Sequence, residues 1–139
     1  MFKHSPIELQ EMTAVTTEFG RQYETPEGIN LPSITTVLSI LSRDSIAKWR
    51  ARVGEKEANR VSYRASTRGT AVHEICEQYV NNDPDYDKYM AMDIDTGEQK
   101  LTKRTPDLID SFLKIKPILD ERLTTVHAQE APLYSTHLG

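Results

Sequence analysis

Residues 68–77 read Arg-Gly-Thr-Ala-Val-His-Glu-Ile-Cys-Glu. On a helix, His73 and Glu77 stand four positions apart on one face, so an imidazole and a carboxylate can approach one divalent cation together. The segment directly upstream is rich in arginine and lysine. A metal-binding pair beside a surface suited to phosphates points toward phosphodiester hydrolysis, although two ligands do not complete a metal site.

The charge distribution supports the phosphate half of that reading. Residues 43–68 hold eight basic side chains (Arg43, Lys48, Arg50, Arg52, Lys56, Arg60, Arg64, Arg68) against Asp44, Glu55 and Glu57, a net +5. The whole chain carries −4, so the remainder carries −9. Contact with a phosphate backbone is governed by charge within about a Debye length, roughly 10 Å, and not by the protein's total. An acidic remainder favours solubility and discourages binding on other faces.

With 139 residues, 37% of them hydrophobic and 27% charged, the chain fits one soluble domain with a modest core, or part of a larger one. No apolar run approaches the roughly 18 residues of a membrane span, and the opening Met1-Phe2-Lys3-His4-Ser5-Pro6 lacks the apolar centre of a secretory signal. A single cysteine, Cys76, forms no internal disulfide and no cysteine-based zinc site. The expected setting is cytoplasmic, with no membrane partner.

The elements that must position these residues follow from local pattern. Residues 13–17 and 21–25 are β-branched and aromatic around Gly20, and Pro26-Glu27-Gly28 reads as a turn, so 13–32 is expected to be a β-hairpin region. Residues 33–80 form the basic helical region. Ser33 is a candidate N-cap, Asp44 a second cap, Gly54 a stop, and helices are expected over 55–67 and 70–80. Residues 81–105 read as a linker, being polar and without core pattern. Leu108, Ile109, Phe112, Leu113, Ile115, Ile118 and Leu119 predict a helix over 106–123 that Pro117 should bend or shorten, and 126–133 is a candidate strand.

Each functional reading has a plain competitor. A lone histidine on a helix face is more commonly hydrogen-bonded than metal-bound, and glutamates are frequent on solvated faces. Lys48, Arg52, Lys56, Arg60, Arg64 and Arg68 recur every four positions, which drifts by about 40° per step on a continuous helix. They make a stripe only if Gly54 and Gly69 break the run. Trp49 and Tyr63 suit either base stacking or a core.

Five segments occur in order: Arg21-x-Tyr23; Leu31-Pro32-Ser33-Ile34-Thr35-Thr36-Val37-Leu38; Trp49-Arg50-x-Arg52-Val53-Gly54-Glu55-x-Glu57-Ala58; Arg68-Gly69-Thr70-x-x-His73-x-x-x-Glu77; and Glu130-x-x-Leu133-Tyr134-Ser135-x-x-Leu138-Gly139. Together they resemble the N-terminal half of phage and bacterial exonucleases of the PD-(D/E)XK superfamily, related to RecB-type nuclease domains and the mitochondrial genome maintenance exonuclease. The resemblance implies an α+β chain, mainly helical, forming the N-terminal part of a restriction-endonuclease-like α/β nuclease fold with most core strands missing. Residues 124–139 would then hold the first core strand.

The resemblance also implies roles. His73 matches the histidine that helps such enzymes to bind a catalytic Mg²⁺ or Mn²⁺; Glu77 and Glu130 are further acidic positions near the metal, with His73 and Glu130 catalytic. The hydroxyls of Ser33, Thr35 and Thr36, together with Lys48, Trp49, Arg50, Arg52, Arg60, Arg64 and Arg68, would grip DNA, expected to be single-stranded. Family members continue into strands carrying an Asp and then (D/E)-x-Lys. Neither Glu55 to Glu57, in a basic helical stretch, nor Asp85-Tyr86-Asp87-Lys88, in the expected linker, fits that motif. The expectation is therefore an N-terminal fragment of a metal-dependent DNA exonuclease, inactive alone and completed by a C-terminal fragment, in a bacterial or phage-infected cell. The alternative is a non-catalytic nucleic-acid-binding or interaction module.

Overall fold

The computed structural model describes residues 1–18, 20–135 and 137. Leu138 and Gly139, which close the last of the five segments above, lie outside the described residues. The elements run β1 (Lys3–His4), β2 (Thr13–Thr17), β3 (Gly20–Glu24), β4 (Asn30–Pro32), α1 (Ile34–Val53), α2 (Glu55–Val80), β5 (Lys88–Met92), β6 (Gln99–Lys103), α3 (Pro106–Arg122) and β7 (Thr125–Val126). This is an α+β chain with three helices and small sheets among the described residues. No helix among them is long and apolar enough to cross a membrane.

The contacts gather into two units. One comprises Met1–Pro6 and Val61–Gln129; the other comprises Ile7–Arg60 and the described residues from Glu130 onward.

In the second of these, β2, β3 and β4 form an antiparallel meander, with Val15 opposite Gln22 and Tyr23 opposite Leu31. Gly20 sits at the β2–β3 turn with φ +112°, a backbone conformation that side chains disfavour. Ser33 then caps α1, its Oγ accepting from the Thr36 backbone N–H at 3.1 Å. α1 runs unbroken through Asp44 to Val53, so Asp44 does not start a second helix. Gly54, at φ +85°, does end it, and its N–H donates to the Arg50 carbonyl at 2.9 Å.

The other unit has a small apolar core of Ile75, Val80, Phe112 and Val126. Around Phe112, the rings of Tyr79 and Tyr86 pack at centroid distances of 5.2 and 5.4 Å, and Phe2 meets Tyr79 edge-on at 5.3 Å. α2 continues through Gly69, which the sequence marks as a break. A glycine in a helix interior costs only about 1 kcal/mol, less than the surrounding turns supply. α3 likewise continues through Pro117 to Arg122. The bond lost there is to the carbonyl of Leu113, a residue 51% exposed, so water is the natural substitute.

Two further expectations are corrected. The predicted linker contains an antiparallel hairpin, β5 against β6, closed by Asp93, whose Oδ1 accepts from the N–H groups of Asp95 and Thr96 at 3.0 and 3.1 Å. The predicted strand over 126–133 stops at Val126. β7 pairs in parallel with β1, Lys3 opposite Thr125, and the ladder ends where Ser5 N–H donates to Val126 O at 2.9 Å. Its partner is only two residues long, and Pro132 has no N–H to offer a longer ladder.

Candidate metal pair and nucleic-acid interface

His73 and Glu77 lie one turn apart on α2, where neighbouring Cβ atoms are about 5–6 Å apart. His73 is exposed and Glu77 half-buried. Glu130 belongs to the other unit, is exposed, and has left-handed backbone (φ 52°) in place of the expected strand geometry. No group of three His, Cys, Asp or Glu side chains that could hold a metal ion occurs among the described residues. Mg²⁺ prefers about six oxygen ligands in octahedral geometry, so His73 and Glu77 fit a divalent site only as a partial ligand set.

One Glu-x-Lys spacing, Glu98-Gln99-Lys100, lies outside the segments weighed from sequence. Glu98 and Lys100 are both exposed at the β5–β6 hairpin, where Asp93 is committed to capping the turn. Those backbone N–H groups also hold the Asp93 carboxyl below its usual range.

The expected phosphate contacts divide into three groups. Arg50 is neutralised by Glu55, through Nε to Oε1 at 3.1 Å and Nη2 to Oε2 at 2.5 Å, and also donates to Asn59. Arg60 is similarly bidentate to Glu57 at 2.8 and 2.6 Å. These hydrogen bonds push both guanidinium pKa values up and both carboxyl values down. Arg68 donates to Ser111 Oγ at 2.6 Å. Arg43, Lys48, Arg52, Lys56 and Arg64, by contrast, are exposed and make no ion pair among the described residues.

The hydroxyls divide too. Ser33 is buried, its Oγ engaged with Thr36 N, Thr35 Oγ1 and Thr36 Oγ1, and Thr36 Oγ1 lies 3.4 Å from Arg21 O as a donor. These two groups build the start of α1, leaving Thr35 as the exposed hydroxyl of the three. Trp49 is half-buried, whereas Tyr63 is 75% exposed.

Arg104 is a functional candidate that sequence reasoning missed. Its side chain is only 4% exposed; Nη2 pairs with Glu74 Oε2 at 3.0 Å and Nε donates to Lys88 O at 3.2 Å. Its one sequence signal is its place directly before Thr105-Pro106, the start of a helix. Glu74 is 30 residues away and no local pattern pairs them. No family model, curated protein or solved structure matches the chain.

Proposed function

We propose that this chain is the DNA-gripping, N-terminal portion of a Mg²⁺- or Mn²⁺-dependent DNA exonuclease of the PD-(D/E)XK type, acting on single strands in the cytoplasm of a bacterial or phage-infected cell. What carries the reading is the set of exposed cations, Arg43, Lys48, Arg52, Lys56 and Arg64, which make no ion pair among the described residues of a chain of net charge −4. Acidic side chains outnumber basic ones 21 to 17, so cations left unpaired within one window are suited to an external anion. His73 and Glu77 are the chain's contribution to the metal ligands. The remaining donors, an Asp and a (D/E)-x-Lys, come from a C-terminal partner fragment.

The test has two stages. The chain should bind a fluorescent single-stranded oligonucleotide with an affinity that falls steeply as salt rises. Adding a C-terminal half that carries the missing motif should produce Mg²⁺-dependent release of nucleotides, and His73→Ala should abolish release while leaving binding in place. Absence of salt-dependent binding overturns the reading. Binding with no cleavage in the completed enzyme replaces it with a non-catalytic nucleic-acid-binding module.

A further inference from the structure

One face of α2, presenting Tyr63, Ser66, Thr67 and Thr70, forms a wall of a cleft of about 450 Å³ whose other side includes Tyr89 of β5 and the buried Arg104. The helix positions fall at i, i+3, i+4 and i+7, the spacing of a single face. That face is hydroxyl-rich where a helix packed against a neighbour would carry leucine or isoleucine. Its volume lies within the range of small-ligand sites, about 300–1,000 Å³. Tyr63 is 75% exposed and Tyr89 41% exposed, an unusual solvent cost for two aromatic rings beside one cleft.

The buried charge is arranged to leave these groups in place. Glu74 and the Lys88 carbonyl engage Nη2 and Nε of Arg104, while its guanidinium lies 5.5 Å from the Tyr89 ring centroid. One face of Tyr89 is therefore held by a cation, which orients the ring at the cleft. Aromatic rings bordered by hydroxyl donors match an unpaired nucleobase: stacking on the ring, with hydrogen bonds to the base edge or sugar–phosphate from Ser66, Thr67 or Thr70.

We propose that this cleft takes one unpaired base of the DNA strand, stacked on Tyr63 and bordered by Tyr89. The proposal rests on the single-strand-binding reading above and adds to it a base-recognising element separate from the phosphate-binding cations.

The experiment compares the full chain's affinity for an oligothymidylate with that for an abasic oligomer of equal length and charge. The wild type should bind the oligothymidylate more tightly. Tyr63→Ala should lower that affinity about tenfold and leave the abasic oligomer unaffected, Tyr63→Trp should retain it, and Thr70→Val should weaken it. Because Tyr63 is so exposed, its replacement leaves the fold intact. Equal wild-type binding of the two oligomers, or an oligothymidylate affinity indifferent to Tyr63→Ala, overturns the cleft while leaving the DNA-binding function standing. Failure to bind either oligomer at low salt overturns both.

Discussion

Tyr134 donates its phenolic proton to the Glu27 carboxylate, with Oη 2.9 Å from Oε1 and 3.1 Å from Oε2. Across 107 residues, this ties the segment after Glu130 to the β3–β4 turn. The bond holds the Glu27 carboxyl below its ordinary value of 4.5 and pushes the Tyr134 phenol above 10.

The direction of the pH effect follows. Glu27 favours the folded contact fully above pH 4.5, and its contribution is lost as pH falls through the lowered folded-state value. Tyr134 favours it fully below pH 10, with the loss coming as pH rises through the raised value. Amide protection of Ala131 and of residues 133–135 should therefore be greatest at intermediate pH and fall at both extremes. Tyr134→Phe should flatten the profile; an unchanged acid limb in that variant would show that another carboxylate sets it.

Gly20→Ala should destabilise the Ile7–Arg60 unit by about 1–3 kcal/mol. The added methyl meets Thr36 Cγ2 at 2.7 Å, and φ is +112°. Thr36→Ser removes Cγ2 and should return part of the loss, because the 2.9 Å approach to the residue 36 hydroxyl and the backbone strain both remain. Urea unfolding of the single and double variants checks this, and complete absence of rescue would count against the steric cause.

Phe112 is fully buried and meets both Tyr79 and Tyr86. Phe112→Ala should cost about 3–5 kcal/mol, a large share of the roughly 5–15 kcal/mol that stabilises a domain. The aromatic near-ultraviolet circular dichroism should collapse with it. A melting temperature within a degree or two of wild type would falsify this assignment of the core.

For the phosphate contacts, Lys48→Ala with Lys56→Ala should reduce the slope of log affinity against log salt by about 1.4, at roughly 0.7 per contact on a single strand. Arg60→Ala should change it much less, since Glu57 already neutralises that guanidinium. Equal slopes for the two variants would remove the distinction between paired and unpaired cations.

The legible parts of the sequence were those decided within a few residues. Pro32-Ser33 announces α1 because the cap bond spans three positions, and Gly54 announces its end through a backbone angle that other residues avoid. The spacing of His73 and Glu77 is likewise local. Gly69 and Asp44 misled because each expresses a local preference of about 1 kcal/mol that a long helix overrides. The β5–β6 hairpin escaped because Gln-Lys-Leu-Thr-Lys has little apolar alternation. With it went Arg104, whose pairing to Glu74 exists only once the hairpin has folded back.

The parallel pairing of Lys3 with Thr125 sets a timetable for biosynthesis. Lys3 must wait for Thr125, 122 residues later in the chain, roughly 6–25 s at 5–20 residues per second of translation. During that interval β1 is an unpaired edge on the nascent chain, and the Val61–Gln129 unit cannot close until β7 has left the ribosome. The meander of β2, β3 and β4 has no such wait, since all its strands lie between Thr13 and Pro32. Folding during synthesis should thus begin at the meander and finish by capturing Lys3 and His4.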